Sequence, residues 1–300
     1  MAQIKSRKHN RSAQLMALAA SLPLLAHAAN PEDDVTQLPT ITVKSEAESK
    51  YKADNLSSAK YTQPLSDTPQ TISVIHHIPN VLSKEQVAEF RKVMETANWV
   101  GGKVTAGTLS ASVKKNQQLS EQDPLTHQLS EIVMQAIWKH PTFQAAALPR
   151  QIIPPLFNRY DEHESFGFHV DNAIRLIRGT AQQLRTDLSC TLFLSEPEEY
   201  DGGDLVIEDT YGFHEVKLPA GDVVLYPSTS LHEVSSITRG TRFASFFWVQ
   251  SLIRDDAKRH LLFNLDESIR ELRTVHGDAY PEVMKLTNIY HNLIRMWSEL

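Results

Sequence analysis

Cysteine is nearly absent. Cys190 is the single one in 300 residues, so no intramolecular disulfide can staple the fold. It falls at an apolar-phase position of a strand-like pattern, which reads as a buried, inert thiol. A basic excess is lacking as well: 30 Lys and Arg stand against 36 Asp and Glu, a formal net charge of -6. No stretch of the core sequence concentrates positive charge as a nucleic-acid surface requires, so nucleic acid is not expected as a partner. No apolar run approaches the ~20 residues that span a bilayer as a helix, so no membrane span is expected. The succession of alternating ~10-residue strands that a membrane barrel needs is missing too. What remains is a chain of ordinary apolar content, 41%, and ordinary charge, 22%. It is long enough for one large domain with appendages.

The N-terminus departs from that plain character. Lys5, Arg7, Lys8 and Arg11 form a basic region ahead of an apolar stretch, Leu15 to Ala26, and Ala26-His27-Ala28 fits a small-x-small cleavage pattern. Residues 1–28 therefore read as an export signal, which implies a periplasmic destination. Residues 29–75 are polar, and short pieces such as Thr71-Ile72-Ser73-Val74-Ile75 are too small to bury a core. A loose arm is expected there. Leu38-Pro39-Thr40-Ile41-Thr42-Val43 resembles the TonB-box region of outer-membrane siderophore receptors, and Asp67 to Ile75 resembles the opening of their plug domain. The likeness stops there, without the rest of a plug or a barrel.

A folded domain is expected over 76–252, followed by a helical extension over 253–300. Ser83 with Gln86 three residues on is a capping-box signature. Val87, Phe90, Val93, Met94 and Ala97 continue it as an amphipathic helix to about Trp99. Asp123 followed by Pro124 starts a second helix, with Leu125, Leu129, Ile132, Val133, Ala136 and Ile137 as its apolar stripe. After Pro149 the period becomes strand-like, over 152–160, 166–170, 188–194 and 205–207, then 213–218, 222–226, 231–237 and 242–249. The segment 188–194 alternates apolar and polar residues and reads as half-buried. Asp201-Gly202-Gly203-Asp204 and Pro219-Ala220-Gly221 are turns between these strands. So many short strands predict an α+β protein with a double-sheet jelly-roll core. Leu261, Leu262, Leu265, Ile269 and Leu272, then Val283, Leu286, Ile289, Leu293, Ile294 and Trp297, predict a C-terminal helical hairpin on that core. It is also the place where a homo-oligomer contact would fall.

Phe166-Gly167-Phe168-His169-Val170-Asp171 carries the candidate chemistry. On an extended strand His169 and Asp171, two apart, share a face and can supply two adjacent corners of a metal polyhedron. His232 in Leu231-His232-Glu233-Val234 offers a third ligand. Two His and one carboxylate form the facial triad of non-haem Fe(II) oxygenases, which leaves cis positions for a 2-oxoacid and O2. A turn near 238–239 is expected to bring Arg242 close to cross-strand register with His232, where its guanidinium suits the far carboxylate of 2-oxoglutarate. His163 lies in a polar link and reads as surface. His214 reads as exposed, and His127, His140, His260, His276 and His291 fall on helices with no paired ligand. Two loops, 110–122 and 173–185, are expected to flank the open end. Arg175, Arg178 and Arg185 in the second hint at an anionic or iron-chelating substrate, with a solvated charged loop as the plainer reading.

From about residue 77 to residue 300 the chain resembles the PKHD-type hydroxylases, bacterial prolyl-4-hydroxylase-like Fe(II)/2-oxoglutarate oxygenases. The residues that carry the likeness include His77-Ile78-Pro79-Asn80, Asn158-Arg159-Tyr160 and His169-Val170-Asp171-Asn172-Ala173. Tyr200-Asp201-Gly202-Gly203-Asp204, Pro219-Ala220-Gly221-Asp222, Leu231-His232-Glu233-Val234 and Thr241-Arg242 complete it. The resemblance implies iron on His169, Asp171 and His232, 2-oxoglutarate on Arg242 with a hydroxyl contact from Tyr160, and ascorbate to keep the iron reduced. It also implies hydroxylation of a small-molecule or peptide substrate with O2, a link to iron or siderophore uptake, and a cytoplasmic setting. The export signal conflicts with that setting, and the receptor-like arm reads as a junction of two neighbouring genes. Two other classes stay open at this point: a cupin-like metal protein of another activity, and an exported, non-enzymatic module that engages TonB.

Overall fold

Two antiparallel sheets lie face to face, one of eight strands and one of five. This computed structural model describes residues 74–105, 110–177, 179–209 and 212–300. The export signal and nearly all of the receptor-like arm lie outside the described residues, as does Arg178. Among the described residues no helix is long and apolar enough to cross a membrane.

The larger sheet is centred on the strand Arg242–Ser251, which pairs with Leu188–Phe193 on one side and with Leu156–Tyr160 and Pro149–Ile152 on the other. Its outer face is covered by helices. Lys84–Glu95 starts from a complete capping box on Ser83 and Gln86, and buries Val87, Phe90 and Met94. Pro124–Lys139 starts from Asp123, whose carboxylate accepts from Leu125 N, and buries Leu129, Val133 and Ile137. These side chains pack with Phe157, Leu188, Cys190, Leu192 and Phe247 of the sheet into the main core. Each such apolar side chain contributes about 1.5–3 kcal/mol through burial. Cys190 is buried and unbridged, and burial pushes its thiol well above the usual range.

The strand Leu188–Phe193 is buried at every position instead of half-buried. Helices cover its Leu188–Cys190–Leu192 face, while Ser189 and Thr191 point into the space between the sheets. A short helix, Pro141–Ala147, also escaped the periodicity; His140 caps it by accepting from Phe143 N at 3.4 Å. The expected loop 110–122 contains the short helix Ser110–Val113 and the strands Lys114–Lys115 and Gln117–Leu119. The expected loop 173–185 is a hairpin of Ile174–Leu176 and Gln183–Arg185.

The smaller sheet runs Gly212–Val216, Leu205–Asp209, Leu231–Val234, Ser165–His169, Lys114–Lys115. Leu205, Ile207 and Val234 from this sheet meet Tyr160, Phe193, Val224 and Tyr226 from the larger one, forming the inner core of the sandwich. Leu231–Val234 and Arg242–Ser251 therefore belong to opposite sheets. The expected His232–Arg242 cross-strand pair does not form. The segment after Val234 crosses between sheets by way of Arg239–Gly240, which pairs with Tyr200–Asp201.

The C-terminal hairpin consists of Asp256–His276 and Pro281–Trp297. Leu262 packs with Leu148 and Ile253, and Leu293, Ile294 and Trp297 close over them. Leu261 and Ile289, expected in the stripes, stay exposed instead.

Candidate metal centre

The strand Ser165–His169 carries one extra residue relative to its partner. His169 pairs with His232 and Phe166 pairs with Val234, so two residues of one strand oppose one of the other. Such a bulge turns residues three apart onto one face. Phe166 and His169 thus both point inward, with their rings stacked at a centroid distance of 3.6 Å. Gly167 sits in the bulge, where an added Cβ would come within 3.2 Å of Val113 Cβ.

This register sets His169 directly across from His232, with ring centroids 4.2 Å apart. Asp171 lies just past the end of the strand, and its Oδ2 is 3.7 Å from His232 Nε2. One ligand atom from each of the three lies within 4.8 Å of the others. His169 Nδ1 meets the Gly167 carbonyl at 2.9 Å, and His232 Nδ1 meets the Ser230 carbonyl at 3.0 Å. A carbonyl only accepts, so both Nδ1 atoms carry the proton and donate. Both Nε2 lone pairs are left for a ligand, the second contact that orients a metal-binding imidazole. Burial, with His232 alongside, lowers the His169 pKa to about 4, so its ring is neutral at neutral pH. Ser189 Oγ donates to Asp171 Oδ2 at 2.6 Å and shares a 2.7 Å bond with Ser228 Oγ. The arrangement suits a divalent ion: two imidazole nitrogens and a carboxylate, each held by a second contact.

Arg242 is the largest fully buried side chain, 1% exposed. Its guanidinium carbon lies 5.5 Å from the Tyr160 ring centroid and 5.2 Å from that of Phe193. Nε and Nη2 have no hydrogen-bond partner among the described residues. Buried guanidinium donors left unanswered are costly, so these two suit an anion. Tyr160, its register partner, lines the same cavity as His169 and His232. Burial pushes the Tyr160 hydroxyl up to about 12, so it stays protonated.

The structure thus gathers His169, Asp171 and His232, with Arg242 deeper in the sandwich. His163 is exposed and outside the cluster, and exposed His214 is bonded to Asp209 at 2.8 Å instead. Sequence reasoning missed Lys114, Ser189, Tyr226 and Trp248, all of which line the cavity. A signal existed for Ser189, which is the polar phase of an otherwise apolar strand. None existed for Lys114, one of two adjacent lysines in a polar run. Burial lowers the Lys114 pKa to about 8, with Arg175 adding to the effect and Asp171 and Glu121 opposing it.

Residues 155–250 match the family model of the 2OG-Fe(II) oxygenase superfamily, so fold and site together define an oxygenase that uses iron and 2-oxoglutarate. Residues 256–299 match the PKHD-type hydroxylase C-terminal domain. The chain belongs to the PKHD-type hydroxylase family. It is 88% identical over 227 residues to a PKHD-type hydroxylase of Acinetobacter baumannii, covering 76% of this chain and all of that one. A second, of Acinetobacter baylyi, is 85% identical over the same span and coverage. One of Methylobacillus flagellatus is 57% identical over 222 residues, 74% of this chain and 98% of that one. A crystal structure of a Pseudomonas putida prolyl-4-hydroxylase aligns with 60% of this chain and 94% of its own, at 20% identity and a TM-score of 0.42. Of the classes left open by the sequence, the oxygenase is the one that stands.

Proposed function

We propose that His169, Asp171 and His232 hold Fe2+ and that Arg242 receives the distal carboxylate of 2-oxoglutarate, in a hydroxylase whose substrate enters at the mouth of the cavity. The observation that carries this is the pairing of His169 with His232, both Nδ1–H groups tied to carbonyls and Asp171 within 3.7 Å of His232 Nε2. When bound, Fe2+ and 2-oxoglutarate supply the oxidative decarboxylation that drives hydroxylation by O2. The chain's own residues do the rest. Gly167 and Ser230 fix the imidazole tautomers through their carbonyls. Ser189 holds Asp171 Oδ2 in place. Arg242 offers a planar pair of donors to a carboxylate in a dry setting, where a charge-assisted bidentate contact is strongest. Tyr160 and Tyr226, both buried, wall the cavity and keep water out.

The test is succinate formation by the full chain with Fe(II), 2-oxoglutarate and O2, beside metal content by mass spectrometry. Asp171→Ala is expected to lose both iron and succinate. Arg242→Met is expected to keep iron while the KM for 2-oxoglutarate rises by about tenfold or more, the effect of losing ~1.4 kcal/mol of charge-assisted binding. An Asp171→Ala protein that still binds iron and forms succinate at the parental rate would sink the assignment.

A further inference from the structure

Three buried hydrogen-bonding atoms on two neighbouring side chains have no partner among the described residues: Nε and Nη2 of Arg242, and the hydroxyl of Tyr200. Nε and Nη2 lie along one edge of the guanidinium and form the side-on fork that grips both oxygens of a carboxylate. Tyr200 is fully buried, in one cluster with Tyr160, Phe193 and Ile237. Tyr160 and Phe193 are also the rings beside the Arg242 guanidinium carbon, at 5.5 and 5.2 Å. Rings stacked on a guanidinium take its faces and leave its donors in the plane. Burial pushes the Tyr200 hydroxyl up, and Arg242 alongside opposes that. The two groups are therefore close, yet they are not aligned as a hydrogen bond to each other. Donors that lie side by side without bonding are arranged for a common acceptor.

The Tyr200 ring is pinned from several sides. Tyr200–Asp201 is held by its pairing with Arg239–Gly240 at the crossing between the sheets. Gly203, at φ +66°, leaves room for the ring: an added Cβ would come within 3.1 Å of Tyr200 Cδ2 and Cε2. Lys217 closes over it, with Nζ 4.1 Å from the ring centroid and donating to the Tyr200 carbonyl at 2.8 Å. The two carboxylates near enough to act on Tyr200 are Asp204 and Glu199. Both are engaged elsewhere, Glu199 with Arg91 at 2.6 Å and Asp204 with Ser235 Oγ at 3.5 Å. A fixed hydroxyl that bonds nothing in a buried cluster is costly, and a native fold keeps one for a reason. Resting on the placement of 2-oxoglutarate at Arg242, we infer that Tyr200 is a cosubstrate-binding residue. Its O–H donates to the distal carboxylate that the Nε–Nη2 fork of Arg242 holds. Together the three donors select a 2-oxoacid that ends in a carboxylate over one that ends in a methyl group. Tyr160 supports the guanidinium from its face, and the hydroxyl contact to the distal carboxylate comes from Tyr200.

Calorimetric titration of the full chain, loaded with Zn2+ as a redox-inert ion, tests this with two ligands. 2-Oxoglutarate carries the distal carboxylate, and 2-oxopentanoate has the same chain length with a methyl group in its place. The parent is expected to prefer 2-oxoglutarate by at least about a hundredfold. Tyr200→Phe is expected to cut that preference by at least about tenfold, through 2-oxoglutarate alone, with 2-oxopentanoate within about twofold of the parent. A general loosening of the fold would weaken both ligands together. The melting temperature is expected to hold or rise, because the substitution keeps the ring and removes an unpartnered polar atom. A second readout needs no variant. Adding 2-oxoglutarate to the parent is expected to shift one tyrosine absorption band to the red, as a phenol does when it donates to a carboxylate, and adding 2-oxopentanoate is not. A parental preference in Tyr200→Phe overturns the proposal, and loss of the preference in Tyr160→Phe instead would return the contact to Tyr160. If Tyr200→Phe fails to fold, the absence of the red shift in the parent overturns it. A parent without the preference, or a preference that survives Arg242→Met, overturns the placement of 2-oxoglutarate at Arg242 first, and is told apart because Tyr200 is intact in both.

Discussion

Ser189 accepts from Ser228 Oγ at 2.7 Å while donating to Asp171 Oδ2 at 2.6 Å, so its hydroxyl is the hinge of a short polar chain that ends on the carboxylate proposed to hold the metal. Removing the hydroxyl leaves Asp171 present but unsupported. Ser189→Ala is expected to weaken metal binding by about tenfold with little change in fold, since contacts of this kind are worth 10–100-fold in affinity. Competition with a chromophoric chelator measures it. Lys114 behaves differently. Its pKa, lowered to about 8 by burial, means that folding opposes its charge. The sign follows: between about 8 and the unfolded value the unfolded chain holds more protons, so stability rises with pH across that window. Below it the penalty is fully present. Lys114→Met is therefore expected to raise Tm at pH 7 by a few degrees, with the gain shrinking toward pH 10. A thermal melt at the two pH values decides it, and no gain at pH 7 would show that the ammonium is already compensated.

At the scale of elements, the turn into the strand Val223–Pro227 is tightly constrained. Gly221 has φ +98°, and a Cβ there would meet the Leu82 carbonyl oxygen at 2.5 Å, the turn against which the first helix is anchored. Gly221→Ala is expected to cost about 1–3 kcal/mol or more, read as a drop in denaturant midpoint at unchanged m-value. Elements of this kind were legible in the sequence wherever the signal is local. The capping box at Ser83 and Gln86, the Asp123-Pro124 start and the Gly202-Gly203 turn each declare themselves within a few residues, and each is in place. The pair His169 and Asp171 was legible for the same reason. Pairing between distant strands was not. The crossing by way of Arg239–Gly240, which puts His232 and Arg242 on opposite sheets, depends on partners that a turn signal does not name. The bulge before His169 was equally hidden, because an extra residue is defined only against the opposing strand. Lys114 was unreadable because two adjacent lysines look solvated until a ring is found beneath one of them.

For the whole molecule, the C-terminal hairpin closes one side of the sandwich. Glu299 N donates to the Leu252 carbonyl at 2.8 Å, and the Glu299 carboxylate takes Arg185 at 2.7 Å, so Arg185 of the mouth hairpin is engaged in ion pairs with Glu299 and Asp187. Trp297→Ala removes a partly buried ring from the cluster around Ile253 and Leu262. It is expected to lower Tm by several degrees while leaving metal affinity intact, checked by a melt and a metal titration on the same sample. At the other end, peptide mass mapping decides whether residues 1–28 act as an export signal: a mature chain beginning at Ala29 would support it, and a start near residue 76 would remove the receptor-like arm from the working protein. The pairing of His169 with His232 also constrains assembly in time. Their strands are distant in sequence, and Ser189, which braces Asp171, lies on the opposite sheet. No local hairpin can gather the three proposed ligands, so before the sandwich forms the chain offers an ion at most the His169–Asp171 pair. Metal capture becomes the last event of folding, a clasp closed on a finished sandwich instead of a template for it.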